Sequence, residues 1–337
     1  YAIDAIAITV IGGRRSWIGP LFGVAVVAAV PYLFDLSAFW SEVLTGLLLI
    51  GALLLAPNGI AELVTPRIRR LVERRSLEVS ARSVSVDTHD GMLVPLDAGA
   101  GSPILRVQDI SHAYGGVLAL DGVSFEVLPG EVVGIIGPNG AGKTTLLDAC
   151  TGMVQISSGR VLVREKEVSR PLEFARLGVR RTFQHVQLMA SLTLLRNVRL
   201  GALLAGAGDG STRIALRALS DVGLHDRAAV SPSTQPLGVR RLAELARVTS
   251  ARPSLALLDE PSSGCDEPSV QRMEDAIRSL AAQSCAVILV SHDLRFVARV
   301  ADRIVLMSRG QVVKEFPVEQ LESDEAVRQV YLGGVSA

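Results

Sequence analysis

The chain has 337 residues, 49% of them hydrophobic, and 34 Lys plus Arg balance 34 Asp plus Glu. That length exceeds what one compact core usually organises, and zero net charge offers no field for nucleic acid or strongly acidic substrates. Cys150, Cys265 and Cys285 lie far apart with no CxxC and no histidine pair nearby, so neither a zinc site nor a disulfide framework is indicated and they read as reduced, buried thiols.

A mean hydropathy of +0.37 averages two unlike regions. Tyr1 stands inside an apolar run, "YAIDAIAITVIGG", so the chain is expected to begin partway through a longer protein. Residues 16–34 and 43–61 carry no charged side chain, and each run of 19 is close to the length that crosses a bilayer as a helix. Two membrane spans are expected. Arg14 and Arg15 before the first run, with Arg67, Arg69, Arg70, Arg74 and Arg75 after the second, put both ends on the cytoplasmic side; Asp35 and Glu42 mark the outer turn. Trp17, Tyr32 and Trp40 fall near the run ends, where amphipathic rings favour the headgroup layer. Pro20, Pro31 and Pro57 kink or end such helices, which membranes tolerate where neighbouring helices satisfy the freed carbonyls. Further membrane segments, from a preceding part of the chain or another subunit, are therefore expected. The alternative is a pair of buried helices in a soluble core, against which the run lengths and flanking arginines argue.

Residues 64–102 lose hydrophobic periodicity and end in Gly, Ala and Ser, the composition of a cytoplasmic linker. Its arginine run suits contact with anionic membrane lipid, worth about 1 kcal/mol per arginine near the surface. From Ile104 onward, short β-branched runs alternate with helical patterns: "VSFEV", "EVVGIIG", "LALLDE", "AVILVSHD" and "RIVLMSRGQVVKE". This predicts an α/β sheet domain over 103–337.

The run "EVVGII" leads into Gly137, Pro138, Asn139, Gly140, Ala141, Gly142, Lys143, Thr144 and Thr145, and then into a helical pattern. That is the strand, loop and helix context of a phosphate-binding loop. Glycines let successive backbone N–H groups converge on phosphate, the helix N-terminus adds favourable potential, Lys143 reaches the β- and γ-phosphates, and the Thr144 hydroxyl suits magnesium. A second buried run, "LALL", ends in Asp259 and Glu260. Asp259 suits Mg2+, through water, and Glu260 suits the base that orients the attacking water, because phosphoryl transfer is mostly positioning and charge stabilisation. His292 follows another buried run and is expected beside the same phosphates. For each acid the bland alternative is a helix cap, and for a lone histidine a structural role.

Taken together, residues 104–333 resemble the ATPase domain of an ABC transporter. The resemblance implies an α/β P-loop NTPase with a helical subdomain at about 175–250, preceded by the α-helical transmembrane segment, with ATP and Mg2+ bound. It further implies that Tyr114 stacks on adenine, that Gln184 in "RTFQ" touches the metal and couples to the membrane subunit, and that Asp266 in "SSGCD" crosses to a paired ATPase. Within that family, "RLGVRRTFQHVQLMASLTLLRNV" and "DEAVRQVYLGG" are similar to the ATPases of branched-chain amino acid importers, while 1–63 resembles the C-terminal part of the permease of the same systems. A fused permease and ATPase in the plasma membrane is the expectation. Its implied partners are a second ATPase subunit, permease subunits and an extracytoplasmic substrate-binding protein.

The family's LSGGQ signature, which faces the partner's nucleotide, is altered here. The matching stretch is Gln235, Pro236, Leu237, Gly238 and Val239, so proline replaces the serine and valine the glutamine. Proline suits a helix start, and the amides of Gly238 and Val239 remain able to point at phosphate. Unequal nucleotide sites in a heterodimer are expected. Three readings follow: an importer of branched-chain amino acids, or of urea, short amides or other amino acids; a membrane-tethered ATP-binding regulator with weak hydrolysis; and an exporter, which the permease-like beginning disfavours.

Overall fold

The computed structural model describes residues 101–332 together with Trp40, Val43, Gly46, Leu47 and Ile50. The expected spans and the linker as far as residue 100 otherwise lie outside the described residues. Among the described residues, no helix is long and apolar enough to cross a membrane. The chain divides into two units, Tyr1–His89 and Asp90–Ala337, and the architecture below is that of the second.

Two sheets carry this unit. In the first, β1 (Leu105–Tyr114) pairs antiparallel with β2 (Val117–Val127) on one side and β4 (Ser158–Val163) on the other, and β4 pairs with the short β5 (Lys166–Glu167). The second has six strands in the order β10 (Gln311–Pro317), β9 (Arg303–Ser308), β3 (Val132–Ile136), β8 (Ala286–Val290), β7 (Leu255–Asp259) and β6 (Val179–Arg181). Its pairs are parallel except β9 with β10. Every residue of β3, β7 and β8 is buried, which explains why these strands read as unbroken apolar runs rather than alternating ones. Truncating a core residue such as Leu257, fully buried in β7, costs about 2–5 kcal/mol.

The run "RIVLMSRGQVVKE" forms two strands instead of one. Arg309 and Gly310 both take positive φ, 49° and 82°, the geometry of a tight hairpin turn whose twist matches its flanking strands. Helices follow the strands: α1 (Lys143–Ala149) after β3, α2 (Pro171–Arg176) before β6, α6 (Glu267–Ala282) between β7 and β8, α7 (Leu294–Val300) after β8, and α8 (Glu325–Leu332) after β10. Between β6 and β7 the chain builds a helical layer from α3 (Leu194–Leu204), α4 (Ser211–Asp221) and α5 (Leu237–Ser250), which pack on one another. The Ser250 hydroxyl of α5 donates to the Val198 carbonyl of α3 at 2.9 Å. Cys150 and Cys285 are buried free thiols whose burial pushes them up to about 12, whereas Cys265 is only half-buried, a correction to the sequence reading.

Candidate nucleotide site

In a parallel sheet the loops at the C-terminal ends of neighbouring strands share one edge, where ligands collect. The ends of β3, β7 and β8, three consecutive neighbours, bring together the segments beginning at Gly137, Glu260 and Ser291. Segments more than a hundred residues apart in sequence meet there because the strand order is β3-β8-β7 rather than chain order.

The loop from β3 turns into α1 through Gly142, which caps the helix with φ of 96°. A Cβ at this position would come within 2.5 Å of the Ala119 carbonyl oxygen, so both the conformation and the packing require glycine. Pro138 and Ala141 are at least partly buried, Asn139, Gly140 and Thr144 are exposed, and Thr145 lies half-buried. Lys143 Nζ donates to the carbonyls of Gly137 at 2.7 Å and Pro138 at 3.0 Å. Burial pushes its pKa below the usual lysine value, against the pull of the Glu260 and Asp259 carboxylates.

Asp259 is the last residue of β7 and 2% exposed; its N–H donates to the Thr182 hydroxyl at 3.1 Å. Burial pushes its carboxyl above the usual range, opposed by Arg181. Arg181, at the end of β6, donates to both Asp148 of α1 and Asp259, the latter at 3.4 Å. Its guanidinium also lies 5.1 Å over the Phe183 ring. This buried cation was not legible as a site residue in the sequence, because its partners stand 33 and 78 positions away.

Glu260 adopts φ of 48°, a conformation that costs a non-glycine residue about 1–2 kcal/mol. Its N–H holds the Val290 carbonyl of β8 at 2.9 Å, fixing the turn. His292 Nδ1 lies 2.7 Å from Glu260 Oε2; the imidazole is 66% exposed and the carboxylate 14%. His292 is presented by a turn whose next residue, Asp293, caps α7 by accepting from the N–H groups of Arg295 and Phe296. An acid and an imidazole in contact at the mouth of a phosphate-type loop can orient and deprotonate a water.

Gln184 is exposed beyond β6, and its backbone is held by α5. Arg241 donates to the Phe183 carbonyl at 3.2 Å and the Gln184 carbonyl at 2.7 Å. Glu244, 1% exposed, accepts from the Gln187 N–H at 3.0 Å, and Arg247 donates to the Gln187 carbonyl at 2.5 Å. These three helix residues were not singled out in the sequence; their spacing of three residues along "RRLAELAR" was the available signal. Tyr114, 51% exposed at the end of β1, meets the His112 ring edge-on at 4.5 Å.

Pro236 caps α5 with φ of −55° and no side-chain bond to the first turn. Gly238 follows in a space where a Cβ would lie 2.7 Å from Asp266 Oδ1 and 2.5 Å from the Ser269 hydroxyl. The structure thus places the altered signature and Asp266 against each other. Leu237 begins the helix and Val239 lies one position past the glycine.

Thr144, Gln184 and Asp259 offer hydroxyl, amide and carboxylate oxygens, the hard donors Mg2+ takes, and few of them, as suits an ion that also binds phosphates and water. Among the described residues no group of three or more His, Cys, Asp or Glu could hold a metal by itself. The donor set fits a metal brought with a phosphate ligand.

A phosphate loop on a parallel sheet, with an acid and an imidazole at the neighbouring strand ends, defines a nucleoside triphosphatase of the P-loop class. The family described as ABC transporter matches residues 120–263. The high-affinity branched-chain amino acid transport ATP-binding protein LivG of Escherichia coli is 31% identical over 250 residues, 68% of this chain and 98% of that protein. BraF of Pseudomonas aeruginosa, described in the same words, is 33% identical with the same coverage. A nucleotide-free ATP-binding cassette from an ABC transporter superposes with a TM-score of 0.60 at 27% identity, covering 68% of this chain and 99% of that one. A cassette structure in the ADP conformation gives 0.62 at 27% identity over 69% of this chain and 99% of that one. The chain belongs to the ABC transporter family, as an ATP-binding component that hydrolyses ATP.

Proposed function

We propose that the chain energises uptake of branched-chain amino acids as the ATPase of an importer, fused through 64–102 to permease helices within 1–63. The observation that carries the catalytic part is the 2.7 Å contact of His292 with Glu260 beside the Lys143 loop. Similarity over 98% of LivG and BraF supports the solute, and the uncharged runs at 16–34 and 43–61 support the multi-pass membrane location.

In this reading Tyr114 stacks on adenine, and the amides of residues 138–145 and the Lys143 ammonium take the phosphates. Glu260 accepts the proton of the attacking water, and His292 orients that carboxylate. Thr144, Gln184 and, through water, Asp259 would hold Mg2+, which would supply neutralisation of the phosphate charge. Gln184 relays the nucleotide state to permease subunits. Pro236, Leu237, Gly238, Val239 and Asp266 face the nucleotide of a second ATPase, and with Val239 in place of glutamine the two sites hydrolyse at unequal rates. An extracytoplasmic substrate-binding protein delivers the solute, and the arginines of 67–75 contact anionic lipid.

The test is ATP-driven uptake of labelled leucine into proteoliposomes containing the full chain, its partner subunits and the binding protein, with Glu260→Gln as control. Uptake lost on that substitution supports the importer. ATP hydrolysis without leucine uptake moves the solute to urea, short amides or another amino acid. Nucleotide binding with neither hydrolysis nor uptake would favour a membrane-tethered regulator.

A further inference from the structure

The N–H of Gly137 is the first amide beyond β3 and is buried. A buried amide without a partner costs about 1–3 kcal/mol, and this one finds its partner 194 positions away. It donates to the Tyr331 hydroxyl at 3.0 Å. The carbonyl of the same glycine accepts from Lys143 Nζ at 2.7 Å, so the residue that opens the phosphate loop is held from both ends.

Tyr331 reaches that position because α8 is fixed at its beginning. Asp324 Oδ1 accepts from the Ala326 N–H at 2.9 Å, while Oδ2 accepts from Lys314 Nζ of β10 at 2.6 Å. Val327, 5% exposed, packs inward one turn later. Asp324, Val327 and Tyr331 follow the i, i+3, i+7 spacing of one helix face. The helix therefore acts as a strut from the β10 edge to the loop, about two turns long. Burial pushes the Tyr331 phenol above its usual value and the Glu260 charge adds to this, while the Gly137 N–H opposes it.

We propose that Tyr331 is a positioning residue for ATP, its hydroxyl fixing the Gly137 peptide so that the phosphate loop keeps its shape when Lys143 leaves the Gly137 and Pro138 carbonyls for phosphate. The step is an exchange of hydrogen bonds. Lys143 gives up two loop carbonyls, and the Tyr331 bond remains as the loop's long-range anchor. The inference concerns ATP alone and is independent of the solute carried.

Tyr331→Phe keeps the ring and removes the hydroxyl. In the purified full chain, calorimetric titration with a non-hydrolysable ATP analogue is expected to show a threefold to tenfold weaker Kd, the size of about one hydrogen bond. In the transporting complex KM for ATP rises by about the same factor, and kcat stays within about twofold. Asp324→Ala, which loosens the strut at its other end, weakens the analogue in the same direction, and the double variant is weakened no further than the worse single one. A Kd unchanged within about twofold in Tyr331→Phe overturns the proposal. So does a lowered melting temperature without nucleotide accompanied by unchanged Kd and KM, because a packing role alone would produce that. Fully additive effects of the two substitutions also overturn it.

Discussion

Two ends of the ATPase unit are built on opposite plans. At the edge formed by β3, β7 and β8, the reactive side chains sit at the ends of fully buried strands or in the segments just beyond them, and each is tied by a bond within this chain: Lys143 to Gly137, Asp259 to Arg181, Glu260 to His292 and Val290. At the start of α5, Pro236 caps without a side-chain bond, and Gly238 lies against Asp266. The first plan fixes chemistry in place. The second leaves the start of the helix to its backbone, with Gly238 buried against Asp266 and Ser269. The contrast teaches that one polypeptide can tie some of its site side chains down with long-range bonds while leaving a helix terminus with no side-chain cap at all.

The sharpest way to test the self-contained end is Glu260→Gln. Loss of the base is expected to lower ATP hydrolysis by about 10²–10⁴-fold while nucleotide binding persists, which phosphate release and a binding titration would separate; hydrolysis at the normal rate would remove Glu260 from its assigned role. Next in size, Arg181→Met leaves the buried Asp259 carboxylate without its cation. Breaking such a pair costs about 3–5 kcal/mol, to be read as a lowered denaturant midpoint, with Asp148→Asn costing less because Arg181 keeps Asp259.

A smaller effect follows from Lys143. Because burial lowers its pKa, the ammonium loses its proton at a lower pH than ordinary lysine, so ATP affinity is expected to decline across the window between that lowered value and the usual one. The sign for stability is opposite. A buried charged lysine penalises the fold below its folded pKa, and the penalty is relieved as pH rises through it, so the melting temperature should not follow the affinity downward. Lys143→Arg, which stays charged, should flatten the affinity profile. The smallest effect belongs to the start of α5: in the proposed pairing Val239→Gln places an amide toward the second ATPase's nucleotide and is expected to raise hydrolysis at that site by about twofold to tenfold, in single-turnover measurements on a pair with one disabled site. No change there would mean that the amides of Gly238 and Val239 suffice.

The parts legible in the sequence were those with local signals. Unbroken apolar runs announced β3, β7 and β8, and the residues after each run carried the loop, Asp259 with Glu260, and His292. The hairpin turn at Arg309 and Gly310 was missed because its apolar runs join across only two residues. Arg181 and Tyr331 were missed for a different reason. Their partners lie far along the chain, and only the strand order and the docking of α8 bring them within hydrogen-bond distance.

The grip of α5 on the chain beyond β6 has a mechanical meaning. Arg241, Glu244 and Arg247 hold the peptides at 183, 184 and 187 along the same helix whose first turn carries Gly238. Such a set of bonds leaves the segment little freedom to slide on its helix, so a tilt of α5 displaces Gln184 as a crank displaces its pin. A push arriving at Gln184 and a pull arriving at Gly238 are therefore two loads on a single lever.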